Sequence, residues 1–135
     1  MQKGYVMGML VILAALGCVL LVTGCIDTHS YTRGNNGSII QVQPGDTVTI
    51  TLGENPSTGF VWNATPSGDL VITGRTYTSG NPVGEMMGMV GVGGSRTWHL
   101  TVGNDHTQTF SAVLRRPGEP ENRTMGAFEI TFSVP

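Results

Sequence analysis

Beyond its first quarter, the chain alternates apolar and polar residues in short runs separated by turn residues. The clearest run is Thr47-Val-Thr-Ile-Thr-Leu52, where Val48, Ile50 and Leu52 fall on one face and threonines on the other. A period of two describes a half-buried strand. Arg96–Val102 repeats the pattern with Trp98, Leu100 and Val102 inward, and Thr107–Leu114 does so with Phe110, Ala112 and Leu114. In Ala127–Val134 the inward set is Phe128, Ile130, Phe132 and Val134, against Glu129, Thr131 and Ser133 outward. Shorter or less regular runs predict strands over Ser38–Val42, Phe60–Asn63 and Leu70–Thr78. Gln43-Pro-Gly-Asp46, Pro66-Ser-Gly-Asp69 and Gly103-Asn-Asp-His106 are the turns between them. No stretch carries a convincing helical period.

About seven strands with turns at regular intervals predict an all-β domain, an immunoglobulin-like antiparallel β-sandwich over residues 38–135. Trp62 and Trp98 are expected in its core. Three connections stand apart: 53–59, 79–95 and 115–126. If successive strands alternate in direction, all three lie at one end, and the other end receives only short, plain turns. Loops carried on a rigid sandwich are common recognition elements.

The N-terminal quarter follows another pattern. Lys3 is followed by an almost wholly apolar run of about 18 residues from Tyr5 to Val22, then Thr23-Gly-Cys25 and a polar segment. A basic start, an apolar stretch and small residues before a cut site describe an export signal. Val22-Thr-Gly-Cys25 resembles a lipobox, so residues 1–24 are read as a lipoprotein signal peptide with Cys25 as the lipidated residue. The alternative is an uncleaved membrane anchor through an N-terminal helix. Either reading places the domain outside the cytoplasm and attached to the cell membrane. Residues 25–37, rich in Asn, Gly, Ser and Thr, are read as a flexible tether.

Charge narrows the functional classes. Residues 26–135 hold six Arg and nine acidic residues, a formal balance of −3, and Lys3 is the sole lysine. A nucleic-acid binder needs a concentrated basic face, so no nucleic-acid partner is expected. An enzyme is not expected either: no serine lies in a nucleophile-elbow pattern, and no lysine is left for Schiff-base or phosphate chemistry. His29, His99 and His106 show no metal-ligand spacing, and no metal or cofactor is expected. With Cys25 lipidated and Cys18 removed, no disulfide supports the fold.

The three unusual loops carry specific motifs. The first reads Asn55-Pro56-Ser57-Thr58-Gly59-Phe60, the second ends in Gly91-Val-Gly93-Gly94, and the third opens with Arg116-Pro117. In this order, and at these connections, they resemble the chagasin family of cysteine protease inhibitors. That family carries Asn-Pro-Thr-Thr-Gly-Phe/Tyr, Gly-x-Gly-Gly and Arg-Pro-Trp/Phe loops on an immunoglobulin-like sandwich. The resemblance runs from about Ile39 to the C-terminus. It implies a monomeric, reversible, non-covalent inhibitor of papain-like cysteine proteases. Asn55–Gly59 would fill the centre of the cleft, with Gly91–Gly94 and Arg116–Pro117 on its flanks. The chain departs from the pattern after Pro117, where Gly118 replaces the aromatic. An aromatic there is a natural hot spot, and Met86, Met87 and Met89 are candidates to supply apolar contact in its place. The competing reading is a cell-surface immunoglobulin-like binding module without inhibitory activity. In isolation Asn55–Gly59 is a tight turn and Arg116 a solvated loop charge.

Overall fold

The alternating runs become the strands of two facing sheets in the computed structural model, which describes residues 24–89 and 91–135. The strands are β1 (Thr28–Thr32), β2 (Ile39–Gln41), β3 (Thr47–Glu54), β4 (Val61–Pro66), β5 (Val71–Ser79), β6 (Gly94–Thr101), β7 (Thr107–Arg115) and β8 (Thr124–Ser133). One sheet has the order β1-β3-β6-β5 and the other β2-β8-β7-β4. The signal or anchor segment proper, with Cys18, lies outside the described residues. Among the described residues no helix is long and apolar enough to cross a membrane.

The inward positions form one core between the sheets. Val48, Ile50, Leu52, Trp98, Leu100 and Val102 come from the first sheet, and Trp62, Phe110, Phe128, Ile130 and Phe132 from the second; all are buried. Burying one such side chain is worth about 1.5–3 kcal/mol. Rings interlock both across the layers and within the second sheet. Trp98 meets Phe110 edge-on with centroids 5.3 Å apart, and Phe110 meets Phe128 at 6.2 Å. Loss of the Trp98 side chain would open a cavity at this junction, at about 3–5 kcal/mol.

Two expectations are corrected. Among the described residues the sandwich has eight strands rather than about seven, and it is not purely antiparallel: β1 pairs parallel with β3, and β2 parallel with β8. The extra strand comes from residues read as tether, whereas β2 lies in the predicted strand over Ser38–Val42 and differs only in its parallel pairing. Thr28–Thr32 is an edge strand, and a 3-10 turn at Arg33–Asn35 carries the chain from the first sheet to the second. β1 lies at the edge of the first sheet and β2 at the edge of the second, so the parallel pairing is confined to these two edges. Tyr31 is partly buried against the core, its ring 5.9 Å from that of Phe132. The strand is further held by Asp46. That buried carboxylate accepts hydrogen bonds from the backbone N–H of Asp27 and of Gln43, and lies 3.1 Å from His29 Nε2.

A third correction concerns helix. Within the long second loop, Pro82–Met86 forms a short helix, α1. One strand, β5, still separates β4 from β6, so the strand parity that places the three unusual loops at one pole holds.

Candidate functional site

The central loop is built by its own backbone chemistry. Pro56–Thr58 makes one 3-10 turn with Pro56 in its first turn, where a missing N–H costs nothing. Gly59 ends the turn at φ +81°, a left-handed conformation that disfavours any residue with a Cβ. Thr58 N–H and Thr58 Oγ1 both donate to the Asn55 carbonyl, at 3.1 and 2.7 Å, and Gly59 N–H donates to Pro56 O at 2.9 Å. Ser57 Oγ donates to Asn55 Oδ1. Residues 56–59 are exposed, and Asn55 and Phe60 are half-buried behind them. The result is a small, rigid, uncharged crest.

Both flanks bond directly to that crest. On one side Asn55 Nδ2 donates to Gly91 O at 3.3 Å. On the other, Arg116 Nε donates to Thr58 O at 3.1 Å, and its guanidinium lies 4.4 Å from the Phe60 ring centroid. Arg116 Nη1 also approaches Glu119 Oε1 at 3.5 Å. Arg116 is therefore a strut between loops rather than a solvated charge. Gly93 accepts a hydrogen bond from Gly80 N–H, which closes the second loop at its base. Gly94 begins β6, where a Cβ would collide with the Thr78 carbonyl and the Tyr77 ring. Pro117 continues the third loop, and Gly118 turns it at φ +84°. All eleven predicted loop positions, Asn55–Phe60, Gly91, Gly93, Gly94, Arg116 and Pro117, thus lie on these three connections at one pole.

Several supporting residues were not singled out from sequence. Glu54 precedes the central loop, and its side chain is fully buried. It accepts from Trp62 N–H at 2.9 Å, beyond the other end of the loop, and from Arg96 Nε at 3.2 Å. Trp62 Nε1 donates to Gly53 O at 2.7 Å. Arg96 in turn lies over the Tyr77 ring, 5.2 Å from its centroid. One carboxylate thus ties together the bases of the first two loops. A signal for it exists: Glu54 and Arg96 fall on the inward parity of their strands, next to Leu52 and Trp98. Between the first and third loops lies an open cavity of about 580 Å³. Phe60, Leu114 and Met125 form its apolar wall.

Among the described residues, nothing at this pole resembles a catalytic constellation. The crest holds no ionisable side chain, and Ser57 is engaged with Asn55 rather than with a histidine. His99 faces Thr49 on the first sheet, and His106 faces the Val134 carbonyl. Asp27, His29 and Asp46 bring ligand atoms within 4.8 Å of one another, a grouping that their spacing in sequence does not announce. Burial works against the Asp46 charge, yet the N–H groups of Gln43 and Asp27 and the His29 ring hold its pKa below the usual carboxylate value. The group reads as the latch of β1. Cys25, the predicted lipidation position, is exposed and precedes that strand.

Comparisons with known proteins find relatives in both sequence and fold. The model of the chagasin family peptidase inhibitor I42 matches residues 41–132. Chagasin of Trypanosoma cruzi is 27% identical over 96 residues, covering 67% of this chain and 83% of that protein. Among solved structures, the cysteine protease inhibitor EhICP2 of Entamoeba histolytica has a TM-score of 0.69 at 23% identity, covering 81% of this chain and 96% of its own. Amebosin, solved in solution, has a TM-score of 0.64 at 27% identity, with 80% and 98% covered.

Proposed function

The chain belongs to the chagasin family of cysteine protease inhibitors, proteins that block peptidases and are not enzymes, and from that premise we propose how this member acts. It inhibits papain-like cysteine proteases reversibly and without covalent chemistry, by seating Asn55–Phe60 over the catalytic cleft. Gly91–Gly94 and Arg116–Pro117 grip the two sides. The observation that carries this reading is the double cross-link of the central loop, Asn55 Nδ2 to Gly91 O and Arg116 Nε to Thr58 O. Three loops bonded to one another dock as one body, so little conformational freedom is lost on binding.

The residue types suit occlusion. Pro56 and the left-handed Gly59 fix the crest, and small side chains let its backbone approach a narrow cleft. The central loop is displayed as a bent 3-10 turn, not as an extended peptide, so its amide bonds are presented away from the geometry that a nucleophilic thiolate attacks. An interface of about 800 Å² per partner is ordinary for protease–inhibitor pairs. The protein would act as a monomer, without cofactor. We also propose that it works outside the cytoplasm, tethered through lipid on Cys25 or through the preceding apolar segment.

Gly118 supports one rival, a surface binding module that shares the fold but inhibits nothing, because the third loop lacks an aromatic anchor. Titration against papain with a small fluorogenic substrate separates the two. The inhibitory reading expects tight inhibition that is relieved on dilution and lost on replacing Thr58 and Gly59 with the fold intact. A folded protein that leaves papain and a cathepsin untouched would sink it.

A further inference from the structure

The second loop carries more than its glycines. Asn81 caps α1, its Oδ1 accepting from Gly84 N–H at 3.0 Å, with Pro82 in the first turn. The helix ends as firmly. Gly88 has φ +81°, Gly88 N–H donates to Glu85 O at 3.0 Å, and Met89 N–H donates to Gly84 O at 2.9 Å. This pair of bonds, with a left-handed glycine between them, is a Schellman closure, and Met89 Sδ occupies the space that a Cβ on Gly84 would need. A cap at one end and a closure at the other make a rigid turn out of residues whose length could not sustain a helix alone.

That rigid turn displays apolar side chains outward. Met86 is 89% exposed and Met87 80%, and Val83 is exposed beside them. Single exposed apolar residues are ordinary, whereas a cluster held on a braced turn marks a contact surface. The turn that carries the cluster borders the central loop through Glu85 and Met89, the neighbours of the exposed methionines. Pro56, Ser57, Glu85, Met89 and Gly91 line one shallow depression, so α1 and the crest are two walls of the same feature. On the opposite flank Gly118 offers no side chain to a partner.

We propose that Met86 and Met87 are a fourth contact element, seating on an apolar patch at the lip of the cleft in the same protease. The inference rests on the inhibitory reading above and extends it. Methionine suits the role, because its unbranched, polarizable chain adapts to an irregular apolar surface. The binding energy that the third loop lacks is supplied from the second, so this inhibitor's grip is weighted toward one side of the cleft.

The test compares inhibition constants and dissociation rates for papain, using the full chain in mild detergent. Four proteins are needed: wild type, the double variant Met86→Ser with Met87→Ser, the double variant to leucine, and Ile39→Ser. Ile39 is another exposed apolar residue, on strand β2 away from the loop pole. The serine pair is expected to weaken inhibition about tenfold, mainly through faster dissociation. The leucine pair should stay near wild type, and Ile39→Ser should change nothing. Inhibition by the serine pair within about twofold of wild type, at unchanged thermal stability, would overturn the inference and leave the three-loop reading standing. A wild type that fails to inhibit would overturn both.

Discussion

Glu54→Ala removes the carboxylate on which the loop pole rests. Three interactions go with it: the bond from Trp62 N–H at 2.9 Å and the two from the Arg96 guanidinium. Trp62 N–H is buried and would be left without an acceptor, at about 1–3 kcal/mol. Breaking a fully buried ion pair by removing one partner costs about 3–5 kcal/mol. The Arg96 side chain, however, keeps 21% exposure and can turn toward water, which places its share at the lower end. The two contributions are not independent, and about 3 kcal/mol is the expected loss. At about 4 °C per kcal/mol for a domain of this size, the midpoint should fall by roughly 12 °C. Thermal unfolding followed by far-UV circular dichroism measures it. Glu54→Gln is the informative companion: it keeps an acceptor for Trp62 N–H while losing the charge, so it should fall between wild type and alanine. Because Glu54 and Trp62 bracket the central loop, inhibition should weaken in the same order at temperatures where each variant is folded. A midpoint within about 3 °C of wild type for the alanine variant would refute the reasoning, since it would mean that the buried carboxylate holds nothing in place.

Gly59→Ala should cost about 1–2 kcal/mol, because an L-residue is forced to φ +81°. Its added methyl would also meet Arg116 Nε at 3.4 Å and disturb the strut, so inhibition should weaken by more than the stability loss suggests; parallel melting and papain titration check both. For Asp46 the sign is fixed by its lowered pKa. The carboxylate's contribution is complete above its unfolded value of about 4, and is lost as pH falls through the still lower folded value. Asp46→Asn should therefore be less stable than wild type near neutrality, by about 2 kcal/mol from weakened hydrogen bonds. Its stability should also fall less between pH 4 and pH 2 than that of wild type, as read by denaturant unfolding.

Much of the sandwich was legible because burial on one face imposes a period of two. Thr47–Leu52, Arg96–Val102 and Ala127–Val134 all follow it, and strand parity alone then collected the three loops at one pole. β1 escaped because its inward residues, His29 and Tyr31, are polar-tipped and only half-covered. Its pairing is made by backbone bonds to β3 and by Asp46, neither of which leaves an apolar trace. α1 escaped because one helical turn is too short for a 3.6-residue period to register, although Asn81-Pro82 and Gly88 marked its two ends. Arg116 looked like an ordinary loop charge since its partners, Thr58 and Phe60, are far away in sequence. Glu54 and Arg96 continue the inward parity of Leu52 and Trp98, but Glu54 was read as part of the 53–59 loop, and only the folded chain shows that each answers the other.

The parallel alignment of β1 with β3 also sets the pole at which the chain enters the sandwich. Thr28 stands beside Thr47, at the start of β3, while the crest follows Glu54 at its finish. Eight extended residues separate those ends, roughly 25 Å. The chain therefore comes in at the heel of the sandwich, where Asp46 clamps Asp27 one residue ahead of the strand. A lipid on Cys25 would have almost no slack behind it, and the domain would stand upright on the bilayer like a short post with its crest uppermost. On the proposed reading, a protease diffusing past such a surface would meet the three loops first.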